Sequence, residues 1–219
     1  MSDALPTPYY ERDGITIYCA DCREILPLLP PVDLVLTDPP YGLDQLWQGG
    51  GGSVNSSWSF DPSEAMEWDG STVDCVTDLP SLAPMVVIWG GNYYALPPSR
   101  CWFLWDKKQN DQWTTGQAEM AWTNISRPVR MFRMAQAEQA NEGPKFHPTQ
   151  KPLSLMKWCI KMTRIESGII LDPFMGSGTT LRAAMDMGFE AIGIEKSERY
   201  CEIAVKRLQQ SVMRFDIPA

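Results

Sequence analysis

Basic residues are nearly missing from the first 99 positions of this 219-residue chain, where Arg12 and Arg23 stand against 14 acidic residues. Histidine occurs once, as His147. No apolar run reaches the ~18 residues of a membrane-spanning helix, so no membrane segment is expected. The opening stretch "MSDALPTPYYERDG" lacks the basic start and apolar centre of a secretory signal, and a cytoplasmic protein is expected. Among the six cysteines only Cys19 and Cys22 have ligand-like spacing. With one histidine and no second CxxC, no metal site is expected, and the cysteines read as reduced thiols, mostly in the core. No Gly-Lys-Ser/Thr follows a glycine turn, which excludes a P-loop, and the third glycine of the dinucleotide fingerprint is missing. No internal repeat is present.

What is there is uneven. The net charge is −8, yet residues 100–164 carry 11 basic and 5 acidic side chains. This asymmetry hints at a middle segment that faces a polyanion, although a merely solvated basic face gives the same pattern. The length suits one domain over residues 1–219 with a substantial core.

Strand and helix patterns alternate along the chain. "ITIY" (15–18) reads as a strand and "CREILPLL" after Asp21 as a short helix ending near Pro30. "VDLVLT" (32–37) is an apolar, β-rich strand. Residues 42–70, with four consecutive glycines and Trp47 and Trp58, read as a mobile loop. A helix is expected within 71–81, then strands at 85–89, 101–105, 118–122 and 129–131. "AQAEQANEGPK" reads as polar connection. A helix at 153–163, the strand "GIILDPF", a helix at 179–187, the strand "EAIGIE" and a helix at 197–213 complete the pattern. Such alternation implies a mainly parallel sheet with helices on both faces.

Chemistry is expected beyond the carboxyl ends of the strands, where ligands of such sheets bind. "LVLTDPPYGLDQ" runs from a strand directly into an acid, two prolines and an aromatic ring. "LDPFMGSGTT" runs from a strand through a glycine turn into a helix, so that Gly176 and Gly178 let backbone approach a ligand. Glu195 closes the next strand about 20 residues on, where an acid can accept both hydroxyls of a ribose. The pair suggests a nucleoside cofactor.

"TDPPYG", "HPTQKP" and "LDPFMGSGTT", in that order, resemble the β-class amino-group DNA methyltransferases that use S-adenosyl-L-methionine. The resemblance spans the chain from "YCADCREIL" to "GIEKSERYCEIA". It implies an α/β fold: a seven-stranded, mainly parallel, Rossmann-like methyltransferase sheet with permuted motif order. It also implies double-stranded DNA as partner and a place in restriction-modification.

Carried onto this chain, the resemblance makes Asp172, Phe174, Gly176, Ser177, Gly178 and Thr179 the cradle of the cofactor's methionine end. Glu195 would hold the ribose and Asp21 the cofactor's adenine amine. Asp38 borders the cofactor, and His147, Thr149, Gln150 and Lys151 are further contacts. Catalysis would rest on Asp38, Pro39, Pro40 and Tyr41. The Asp38 carboxylate and Pro39 carbonyl accept the two N–H groups of an exocyclic amine, and donor-free prolines keep this rim rigid. The nitrogen lone pair is then available for attack on a sulfonium methyl without a metal. Tyr41 offers a face to a base taken out of the stack.

An Asp at the head of the motif goes with adenine N6 in that family, with cytosine N4 as the alternative. Only residues 126–146 remain before "HPTQKP" for a recognition region. DNA contact is therefore expected from residues 106–146, through Lys107, Lys108, Arg127, Arg130 and Arg133, the arginines forming a strand with one basic face. A second subunit could complete the cleft. A non-catalytic DNA-binding relative and a nucleotide-dependent oxidoreductase remain as other readings.

Overall fold

A computed structural model describes residues 4–42, 72–109, 116–143, 146 and 150–210. From residue 43 onward the expected glycine loop lies outside these, as do His147 and Thr149.

Five strands form the parallel centre of the sheet: β2 (Ile15–Cys19), β3 (Leu34–Thr37), β4 (Met85–Trp89), β8 (Ile169–Asp172) and β9 (Glu190–Glu195). Their spatial order is β2-β9-β8-β3-β4. All four residues of β3 are buried, as befits a strand covered on both faces. The sheet then turns mixed. β6 (Ala118–Thr123) runs antiparallel to β4 and to β5 (Trp102–Asp106), and β7 (Arg130–Arg133) forms that edge, parallel to β5. At the opposite edge β1 (Tyr10–Arg12) pairs antiparallel with β2. Among the described residues the sheet thus has nine strands, the seven expected being extended by further edge pairing.

Period-two alternation splits the core in two. Ile15, Ile17, Leu34, Leu36, Val87, Trp89, Phe103 and Ile170 point to one face. There they meet α2 (Leu153–Thr163), α3 (Thr179–Asp186) and α4 (Glu198–Gln209) through Leu155, Cys159, Ile160, Leu181, Ala184 and Ala204. Tyr18, Val35, Val86, Ile88, Leu171 and Ile194 point the other way, onto α1 (Cys22–Ile25) and the 3-10 turns that hold Val76 and Leu79. Each such aliphatic side chain, fully buried, contributes ~1.5–3 kcal/mol.

Two segments differ from the sequence expectation. The helix expected within 71–81 is two short 3-10 turns, Asp74–Thr77 and Leu79–Ser81. Pro80 has no N–H to donate, and β-branched Val73, Val76 and Thr77 disfavour a longer α-helix. The polar connection contains a 3-10 segment, Gln136–Glu142. The last residue of this segment is structural. Glu142 accepts the Leu153 and Ser154 amides at 2.6 and 3.2 Å, capping the start of α2 from outside that helix.

This topology sets up the site. Asp21 follows β2, Glu195 closes β9, Asp172 closes β8 and Asp38 follows β3. Four carboxylates therefore stand along the carboxyl edge of four neighbouring parallel strands.

Candidate active site

The strand ends are tied together by polar contacts. Thr37, the last residue of β3, donates its hydroxyl to Asp172 Oδ1 at 2.7 Å, and the Phe174 amide donates to the same oxygen at 3.1 Å. The chain then turns through Gly178, at φ +78°, into α3. A Cβ on Gly178 would lie 2.9 Å from that of Ala204 on α4, so both backbone angle and space demand glycine. Glu195 accepts the Gly176 amide at 3.1 Å and the Ser197 amide at 2.8 Å, and its burial pushes its carboxyl pKa upward. Gln150 Oε1 receives the Ser177 hydroxyl at 3.1 Å and the Phe146 amide at 3.0 Å. Arg207 of α4 donates to the Ser177 carbonyl and, at 2.9 Å, to its hydroxyl. Burial lowers that guanidinium to about 10.

Asp38 stands opposite this turn. Its Oδ1 accepts the Tyr41 hydroxyl at 2.6 Å and its Oδ2 the Lys151 ammonium at 2.7 Å. Lys151 also donates to the Tyr41 oxygen at 3.1 Å. Tyr41 stacks on Tyr93 with ring centroids 5.0 Å apart, and the Tyr94 hydroxyl donates to the Pro40 carbonyl. Gly90, at φ +64° just after β4, gives the Tyr41 ring its room: a Cβ there would fall 2.0 Å from the ring.

The two halves face each other across one cleft. Asp38, Gln150, Lys151, Asp172, Phe174, Gly176, Ser177 and Thr179 all line it. Glu195 sits behind the turn. Asp21 lies at the same sheet edge but is engaged locally, capping α1 and pairing with Arg23 at 2.6 Å, which lowers its carboxyl to about 2. It is not among the cleft-lining residues.

The candidate DNA contacts divide. Lys107 is buried and ion-paired with Glu119 at 2.7 Å, so its charge is spent inside the fold. Lys108 is exposed, 3.2 Å from Glu138. Arg127 is half-buried and donates to the Met162 carbonyl at 3.2 Å. The expected single basic face does not form. Arg130 and Arg133 are three residues apart on β7, so a period of two sends them to opposite faces. Arg133 lies with Met131, whose sulfur it meets at 3.3 Å. Phe132, on the other face with Arg130, packs against Trp158 of α2.

Sequence reasoning missed Glu119, Gly90, Tyr93 and Tyr94. Glu119 did carry a signal: it shares a strand face with Ala121 and Thr123, both buried, which places an acid on the core side of β6. "WGGNYY" after β4 was a second signal, a double glycine followed by two aromatics at a strand end.

Asp172 gives a stability prediction. Burial raises its carboxyl to about 6, above the ~3.9 of an exposed Asp. Between about pH 4 and 6 the folded chain therefore holds a proton that the unfolded chain has released. This contribution is fully present below about pH 4 and lost as pH rises through about 6. Asp172→Asn keeps a carbonyl for Thr37 and Phe174 but does not titrate. Scanning calorimetry from about pH 4 to pH 7 should show the wild-type Tm falling relative to that of the variant. Parallel curves would exclude a raised Asp172.

An acid-tipped parallel sheet with a glycine turn facing an Asp-Pro-Pro-Tyr corner defines a class of α/β fold whose ligand cleft lies at the carboxyl ends of the strands. The DNA methylase family of N6 and N4 methyltransferases matches residues 95–206. The chain belongs to that family. It is 38% identical over 104 residues to the Type II methyltransferase M.HindIII of Haemophilus influenzae, covering 48% of this chain and 31% of that protein. It is 25% identical to the Type II methyltransferase M.ScaI of Streptomyces caespitosus, covering 95% of this chain and 86% of that one. The chain thus spans about a third of the first relative and most of the second. The fold matches that of the M1.HpyAVI–SAM complex with a TM-score of 0.57 at 23% identity, covering 88% of this chain and 99% of the other. The fold is that of the methyltransferase sheet. Among the described residues no helix is long and apolar enough to cross a membrane.

Proposed function

We propose that this chain methylates double-stranded DNA at adenine N6, with S-adenosyl-L-methionine as methyl donor. The observation that carries the reading is the single cleft in which Asp38 and the Gly176–Thr179 turn face each other. The residues present fit such a donor. The turn brings backbone close, Phe174 offers apolar surface, and Glu195, which already accepts the backbone amides of Gly176, Lys196 and Ser197, would turn a remaining lone pair to a ribose hydroxyl. When bound, S-adenosylmethionine supplies an electrophilic sulfonium methyl.

The chain's own groups prepare the nucleophile. Asp38 accepts one N–H of the exocyclic amine and the Pro39 carbonyl the other, which favours a more tetrahedral nitrogen with an available lone pair. Tyr41, already stacked on Tyr93, extends a flat aromatic surface to the extruded base. Positioning and electrostatics supply most of the acceleration. Exposed Lys108, Arg130 and Arg133 serve the phosphates. Adenine rather than cytosine follows from Asp38 at the head of the motif, as in the resembled β-class enzymes.

The test incubates the protein with unmethylated genomic DNA and methyl-labelled S-adenosylmethionine, then identifies labelled nucleosides by mass spectrometry. N6-methyladenine is the expected product. N4-methylcytosine would overturn the choice of base, and unlabelled DNA the whole reading.

A further inference from the structure

Behind Asp38 lies a buried row of alternating charges that the proposed chemistry does not use. Lys151, 5% exposed, bridges Asp38 at 2.7 Å and Glu119 at 2.9 Å, and Glu119 continues to Lys107 at 2.7 Å. The ammonium donates to Asp38 and Tyr41 and lies against Glu119 as a close ion pair. Two acids and two lysines leave the row neutral, which is what lets it stay buried. It starts at the end of β3, crosses to β6 and ends just past β5.

We infer that Glu119, itself fixed by Lys107, is a positioning residue that divides Lys151 between itself and Asp38 and so sets the charge and orientation of the carboxylate that meets the target amine. The inference rests on the reading of Asp38 as amine acceptor. Geometry supplies the orientation: Lys151 and Tyr41 hold one carboxylate oxygen each, which restrains its rotation and leaves each oxygen a further lone pair for an N–H. Position on the face of β6 supplies the specificity. Glu119 reaches Lys151 from a strand with no other part in the cleft.

Charge follows from the same contacts. Burial raises Asp38, Lys151 opposes that rise, and Glu119 adds to it. Burial alone would depress Lys151, but Asp38 and Glu119 outweigh it and hold the ammonium above its ordinary range. Burial would raise Glu119, but Lys151 and Lys107 bring it down to about 2. Among the described residues the other titratable neighbours are Tyr41, Tyr93 stacked upon it, Tyr94 on the Pro40 carbonyl, and Asp172, whose carboxyl senses Asp38.

Two substitutions should therefore move Asp38 in opposite directions. Lys151→Met removes its counter-charge, and the Asp38 carboxyl should titrate about one pH unit or more higher. Glu119→Gln, nearly isosteric, removes an opposing negative charge and leaves Lys151 to Asp38 alone, so the carboxyl should titrate lower. Lys151→Arg should restore the wild-type direction. The readout is the carbon-13 titration of the Asp38 carboxyl in the full chain, assigned with Asp38→Asn. The acid limb of the kcat profile for methylation is recorded beside it. In both variants that limb should follow the carboxyl, and in Glu119→Gln KM for cofactor should stay near wild type. Because the carboxyl titration does not need turnover, absence of methylation would overturn the proposed function while still testing the network. Should Lys151→Met fail to fold, Glu119→Gln and Lys151→Arg carry the test. Shifts of the same sign, or a carboxyl unmoved in folded Glu119→Gln, would overturn the inference.

Discussion

Replacing Asp38 by alanine is expected to slow methyl transfer by on the order of 10²–10³ or more while leaving S-adenosylmethionine affinity close to wild type. In the proposed reaction the carboxylate meets the target amine, so its loss falls on the transition state rather than on cofactor binding. The fold should tolerate the change. Lys151, deprived of Asp38, still has Glu119 at 2.9 Å, so no buried ammonium is left alone. Single-turnover rates with excess enzyme measure the chemical step, and calorimetric titration measures the cofactor. Wild-type turnover in the variant would remove Asp38 from the chemistry.

The second large effect is expected at a residue with no side chain. Gly90→Ala places a methyl where Tyr41 now lies, 2.0 Å from the ring, in a left-handed backbone at φ +64°. The backbone cost alone is ~1–2 kcal/mol, a loss of several degrees in Tm for a domain of this size. The larger effect is on Tyr41, which must leave its place against Tyr93 and loosen its 2.6 Å bond to Asp38. Misplacement by about an ångström can cost on the order of 10²-fold in rate. The expected signature is a fall in kcat of that order with unchanged cofactor affinity and a modestly lowered Tm. A drop in Tm without a fall in kcat would mean that the Tyr41 position is immaterial to turnover.

Much of this architecture is legible where local pattern and tertiary burial agree. Met85–Trp89, Leu153–Thr163 and Glu190–Glu195 have the bounds their sequence predicts, because each is a buried apolar run or a helix with one apolar face. The acids at the strand ends are legible because an acid that stops a buried strand has few structural uses. Other features have no local signature. β1 is three residues long, polar and at an edge, so it carries no alternation to read. The arginines of β7 suggest a shared basic face only if a spacing of three is read as one, whereas a strand repeats every two. Sequence places Lys151 with the cofactor contacts; its pairing with Asp38, 113 residues away in sequence, exists only once the chain is folded. The same holds for Lys107, whose burial depends on Glu119.

The order β2-β9-β8-β3-β4 has a consequence for synthesis. β2 and β3 leave the ribosome one after the other, yet they never pair; residues 169–195 must slot between them. Until those residues emerge, the facing edges of both strands present open backbone donors and acceptors, the feature that invites off-register pairing or aggregation. Closure of the sheet is thus a late, long-range event, slow by the logic of loop entropy. It also completes the cleft in the same step, since Asp172 and the Gly176–Thr179 turn arrive with the inserted residues. A nascent chain therefore gains its acid-tipped edge only when it gains its centre.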